Sequence, residues 1–146
     1  MTPTSCLLVC ERRGTWAAAM RRHLPPEIRL RETRSLAECA GGLVAAPASV
    51  VAVELTTTNL AGVLKLASEL GRGFPLARLA VLAERGLEPF QWLLREAGAV
   101  HFTTSPRRPQ ELVRLVQRHA ERIPRPRTSF AAQIWDWLPW HEAAKA

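Results

Sequence analysis

The 146-residue sequence carries a formal charge of +7, with 47% hydrophobic and 23% charged residues. That length suits one domain with a sizeable core and a short tail, and the composition excludes a disordered chain. No apolar run approaches the roughly 18 residues of a bilayer span, and MTPTSC sets no basic segment ahead of a hydrophobic one, so a cytoplasmic protein is expected.

The positive charge is almost all arginine, the only lysines being Lys65 and Lys145. Of 13 acidic residues a single one is aspartate, Asp136, near the C-terminus. Cys6, Cys10 and Cys39 are odd in number and show no metal spacing, so neither a disulfide framework nor a zinc site is expected.

Along the chain, CLLVC (residues 6–10) reads as a strand buried on both faces. Thr15 can cap a helix through Trp16, Ala17, Met20 and Leu24 that Pro25-Pro26 ends. Ile28 and Leu30 alternate with Arg29 and Arg31, the pattern of a half-exposed edge strand. Ser35 caps a second helix ending near Ala46-Pro47, and VVAVEL (residues 50–55) is another buried strand. A helix from Leu60 to Leu70 stops at Gly71 and Gly73. LAVLA (residues 79–83) is a fourth strand. Pro89 opens a helix with Phe90, Leu93, Leu94 and Ala97 on one face and Gly98 behind it. Residues 100–104 form a fifth strand. The last helix starts at Pro109 and shows Leu112, Leu115 and Val116 on one side, with Glu111 in its first turn and Arg118 and Arg122 in its last, matching the helix dipole.

Five strands alternating with five helices predict an α/β fold, a five-stranded doubly wound parallel sheet with helices on both faces. The loops at the carboxyl ends of the strands are then the natural site. At residue 124 the character changes. A Pro/Arg linker leads to FAAQIWDWLPWHEAAKA, which holds three of the five tryptophans. The expected division is a domain over 1–123 and a linker and tail over 124–146.

Two pieces, GAVHFTTSPRRPQEL (98–112) and ELTTTNLAG (54–62), together with this order of elements, resemble the receiver domains of bacterial response regulators over about residues 5–123. The resemblance implies a flavodoxin-like fold and a phospho-acceptor pocket whose chemistry is missing here. The acidic pair that holds Mg²⁺ falls on Cys10 and Glu11, which leaves one carboxylate. The acceptor aspartate falls on Glu54 counted back from Gly62, and on Val53 counted forward from Pro47, the first being the better match. The Thr/Ser position is Leu82 or Ala83, and the lysine position is Ser105. Phe102 matches the switch aromatic, and a cis peptide is implied before Pro106.

Phosphoryl transfer needs charge stabilisation of the equatorial oxygens and a metal on hard oxygen ligands. Cys10, Glu11, Glu54, Leu82 and Ser105 supply too little of either, and Lys65 lies mid-helix. The expectation is a pseudo-receiver: a phosphorylation-independent, non-enzymatic interaction module in signal transduction, with neither metal nor cofactor. Glu54, one methylene longer than aspartate, could hold an activated-like shape, and ordinary hydrogen bonding is the plainer alternative. Two other classes remain open. Cys10 followed by ERRGT is similar to the cysteine-phosphorylated subunits of sugar transport systems, where Arg12 and Arg13 would lower its pKa, although no Gly/Ser-rich phosphate loop follows. The arginines of the last helix and linker would suit a nucleic-acid-associated protein, although no DNA-reading module is visible.

The expected partner is a protein. A homodimer through the fourth-helix, fifth-strand and fifth-helix face follows from the resemblance, with Trp92 lying off the apolar stripe and so exposed. In the tail, Ser129 can cap a short helix with Phe130, Ile134, Trp137 and Leu138 on one face and Trp140 beyond Pro139. This helix would dock on its own domain or in a partner's groove. A membrane surface fits worse, since Asp136 and Glu142 dilute the basic character that such a helix needs.

Overall fold

The computed structural model describes residues 5–123. Phe130, Ile134, Trp137, Leu138 and Trp140 lie outside the described residues. Strands β1 (Leu7–Cys10), β2 (Leu30–Thr33), β3 (Val50–Leu55), β4 (Arg78–Ala83) and β5 (Ala99–Thr103) alternate with helices α1 (Thr15–Arg21), α2 (Leu36–Ala45), α3 (Leu60–Gly73), α4 (Gln91–Glu96) and α5 (Gln110–Arg122). The strands are parallel, in the order β2-β1-β3-β4-β5. The expected α/β sheet is therefore present, with its chain reversal between β1 and β3.

Helices seal both faces of the sheet. One cluster gathers Leu8, Cys10, Val51, Val53, Leu79, Val81 and Phe102 with Cys39, Val63, Leu66 and Leu94 of α2, α3 and α4. The other gathers Leu7, Val9, Val50, Ala52, Ala80 and Leu82 with Trp16, Met20, Leu112 and Val116 of α1 and α5. Alternate residues of each strand point to opposite faces, so β1, β3 and β4 must be apolar on both, as they are apart from Glu54 near the end of β3 and Arg78 at the start of β4.

Four expectations shift. The edge strand begins at Leu30 rather than Ile28, because Pro25–Ile28 closes a turn in which the Ile28 N–H donates to the Pro25 carbonyl at 3.1 Å. Helix α3 runs through Gly71 to Gly73. A Cβ at either glycine would meet nothing within 4 Å, so both lie on an open face and weaken the helix without breaking it. Pro89 opens a 3₁₀ turn, Glu88–Phe90, ahead of a short α4. Phe90 is therefore exposed, while Leu87 and Leu94 are buried. No peptide bond among the described residues is cis, so the bond before Pro106 is trans.

Ser35 caps α2, its Oγ accepting from the Glu38 N–H at 3.1 Å, while the Glu38 carboxylate accepts from the Arg34 N–H at 3.0 Å. This is a reciprocal cap displaced by one residue. Ser35→Ala is expected to cost about 1 kcal/mol and Ser35→Gly only a few tenths. Thermal denaturation should therefore show a drop of several degrees for alanine and a smaller one for glycine.

Candidate functional site

The carboxyl ends of β1 and β3 flank the point where strand order reverses, the place where open α/β sheets present their sites. Register puts Cys10 beside Val53, and sets Glu54, Leu82 and Thr103 in one row across β3, β4 and β5. By alternation Glu54 shares the α1/α5 face with Leu82, which is wholly buried. Cys10 turns the other way, into the cluster under α2 and α3. The five residues expected in one pocket are thus divided between two faces.

Glu11 follows β1 and is only 2% exposed. Its Oε1 accepts from the Trp16 N–H at 3.0 Å and its Oε2 from the Ala17 N–H at 2.7 Å. Its own N–H donates to the Thr33 carbonyl at 3.2 Å, and its carbonyl accepts from Arg34 Nη1 at 3.3 Å. The expected Thr15 cap is therefore replaced. Gly14, at φ 83, turns the chain into α1 without a side-chain cap, and Glu11 reaches back to satisfy the first amides.

Glu54 is half-buried. Burial pushes its carboxyl above the usual carboxylate range, the nearby Glu11 charge adds to this, and the Arg12 backbone N–H opposes it. The loop after β3 is self-contained. Asn59 Nδ2 donates to the Glu54 carbonyl at 2.7 Å, and Asn59 Oδ1 accepts from the Thr56 N–H at 2.8 Å.

The Cys10 thiol is lowered to about 7, chiefly by hydrogen bonding from Cys39 and then from Thr33, against the effect of burial, while Cys39 is pushed up as the donor. At 6% exposure within an apolar cluster, however, Cys10 has little room to meet a phosphodonor. Geometry removes the support for a phosphocysteine role.

Ser105 lines a cavity of about 330 Å³ between the loops after β4 and β5, with Trp16, Ala83, Glu84, Arg85, Thr104, Pro106 and Arg107. Sequence reasoning missed Trp16, Arg85 and Arg107 here. The available signal was the placement of Arg85 and Arg107 just beyond two strand ends. The cavity is cationic and hydroxyl-bearing, although the lysine position is serine. Phe102 is buried in the core, and Trp92 is 70% exposed on α4.

A hard dication needs several oxygen ligands. Both Glu11 oxygens already cap α1, Cys10 faces away, and among the described residues no group of three or more acidic, His or Cys side chains is arranged to hold a metal. The donor set does not fit Mg²⁺.

No protein-family model matches the chain, and no curated protein does. Solved structures do match. A response regulator from Thermotoga maritima is 23% identical, with a TM-score of 0.65 over 83% of this chain and 99% of that one. A CheY-like protein, tadZ, from Pseudomonas aeruginosa PAO1 is 22% identical, with a TM-score of 0.63 over 84% and 98%. A pilus assembly-related protein from Burkholderia pseudomallei K96243 is 17% identical, with a TM-score of 0.63 over 84% and 93%. The fold is that of a response-regulator receiver. Cys10, Glu11, Glu54, Leu82 and Ser105 all lie toward the carboxyl ends of their strands, with Cys10 on the α2/α3 face and Glu54 and Leu82 on the α1/α5 face.

Two measurements check this account of the carboxylates. Glu11→Ala leaves two buried N–H groups without acceptors and is expected to cost about 2–4 kcal/mol in urea denaturation, with Glu11→Gln costing less. For Glu54 the folded state holds the proton more tightly than the unfolded state, so wild-type stability falls as pH rises through its raised pKa. Glu54→Gln should therefore melt about 1–3 °C above wild type at neutral pH, and the gap should close below about pH 4.

Proposed function

We propose that this receiver-fold protein is a phosphorylation-independent, non-enzymatic interaction module in signal transduction. Its receiver body would span residues 1–123, followed by a tail over 124–146. The observation that carries this reading is the use of Glu11 as the α1 cap. A carboxylate committed to two backbone amides is a poor metal ligand, and Leu82, in line with Glu54, offers no hydroxyl. The cavity beside Ser105 keeps positive charge on Arg85 and Arg107, which suits an acidic group of a partner as well as it would a phosphate.

The partner surface we favour is the α4–β5–α5 face, with Trp92 as its centre. A 70%-exposed tryptophan on a short helix beside exposed Phe90 is the composition of a protein contact. The likeness to a pilus assembly-related protein widens the partner class from signalling proteins to a component of a protein assembly. No helix among the described residues is long and apolar enough to cross a membrane, which suits a module recruited by its partners.

Acetyl phosphate with Mg²⁺ is expected to leave the protein unlabelled, and beryllofluoride with Mg²⁺ to leave its amide NMR spectrum unchanged. Stoichiometric acyl phosphate on Glu54 would overturn the proposal. Sedimentation of wild type and Trp92→Ala tests the surface. Self-association lost in the variant supports the dimer, and a monomer at high concentration in both removes it.

A further inference from the structure

The end of the sheet opposite the acceptor pocket carries a second exposed surface. Between β4 and β5 the register slips, with Leu79 paired to Ala99 but Ala80 paired to His101. Val100 is the extra residue, and a bulge of this kind re-aims a side chain at a sheet edge. Val100 is 39% exposed, and Leu76, on the approach to β4, is 40% exposed. Two cavities meet there, sharing Arg78 and Val100. One of about 310 Å³ lies against α5, and one of about 400 Å³ lies against α3 and α4.

The α5-side cavity has an unusual balance. Leu76, Val100, Leu115 and Ile123 are its apolar walls. Arg78, Arg118 and Arg122 supply its charge, and among the described residues no acidic one lines either cavity. None of these arginines is in a salt bridge among the described residues. Among the described residues the polar contacts of Arg78 are to the Pro75 and Ala77 carbonyls, at 3.0 and 2.8 Å, neither of which carries a charge. An occupant that suits this trough is bulky and apolar and carries carboxylates.

Residues 130–146 have that chemistry. They include Phe130, Ile134, Trp137 and Trp140, with Asp136 and Glu142 among them and Lys145 the lone Lys or Arg. The chain reaches them directly from the trough, because Ile123 is itself part of its wall. Residues 124–129 can span about 20 Å when extended, enough to cross the trough in either direction. A tether of that length gives an effective concentration on the order of millimolar, which favours this occupant over a free partner of equal affinity.

We infer that residues 130–146 dock within the same molecule on the Leu76–Val100 trough, with their tryptophans on its apolar walls and Asp136 facing Arg118 and Arg122. The inference is independent of the phosphorylation reading and uses the other end of the sheet.

The experiment is hydrogen–deuterium exchange on the full chain. Combined Trp135→Ala, Trp137→Ala and Trp140→Ala is expected to raise exchange about tenfold around Leu76–Arg78 and Leu115–Ile123, leaving β1 and β3 unchanged as evidence that the body stays folded. Arg118→Glu with Arg122→Glu should speed tryptic cleavage at Arg125 and Arg127, and adding Asp136→Arg should slow it again. Unchanged trough exchange in the tryptophan variant overturns the inference, as does failure of the charge swap to restore protection. Protection that fades on dilution assigns the trough to a second copy's tail, and this too overturns docking within one molecule.

Discussion

Because helices cover both faces of β1, β3 and β4, every apolar side chain on those strands is committed to one of two clusters, and only Glu54 and Arg78 stay outside them. A shift by one residue would carry a whole strand's set to the wrong face. That constraint decides the character of the carboxyl edge. Cys10, last in β1, must follow Leu8 toward α2 and α3, and Glu11, the next residue, must turn toward α1. The same alternation puts Glu54 with Leu82 on the α1/α5 face. Alternation therefore separates Cys10 from its sequence neighbour Glu11, whereas burial disfavours ionisation of Glu54 and the nearby Glu11 adds to it.

Glu11 shows how one buried carboxylate can set the entry to a helix. The entry to α1 passes through Gly14 in a left-handed conformation and has no serine, threonine or aspartate placed to accept from the first amides. A buried carboxylate supplies that acceptor from four residues upstream of the helix. Two charge-assisted bonds to backbone N–H groups, near the positive end of the helix dipole, hold Glu11 in place and tie β1 to α1. The stabilisation is local, and it occupies both oxygens of the carboxylate that directly follows β1.

Much of this was legible from the residues. VVAVEL could only be a strand sealed on both sides, and it forms β3 over the expected range. Ser35 announced the start of α2. What failed did so for identifiable reasons. Ile28 has the alternation of a strand, but the chain spends residues 25–28 closing a turn. Gly71 and Gly73 have the look of a helix stop, yet on an open face their cost is tolerated by a helix anchored at Val63, Leu66 and Leu70. The cavity around Ser105 joins Trp16 from α1 to Arg85 and Arg107 from two later loops. Nothing local in sequence links those three, since only the sheet order brings them together.

The arginines of α5 admit two physical explanations. Arg122 in the last turn, with Arg118 one turn earlier, suits the negative end of the helix dipole, and that alone would account for their presence. The dipole does not explain the rest of the surroundings. It gives no reason for a bulge that turns Val100 outward, for Leu76 to stay exposed beside it, or for a cavity wall that carries no carboxylate among the described residues. Exposed apolar side chains cost little when scattered singly. Here two of the five exposed large apolar residues among those described border one cationic cavity. Apolar walls and arginines at the same place are the complement of an acidic, aromatic segment, and that complementarity, which helix stability alone does not require, is the ground for proposing a docking surface at the amino end of the sheet.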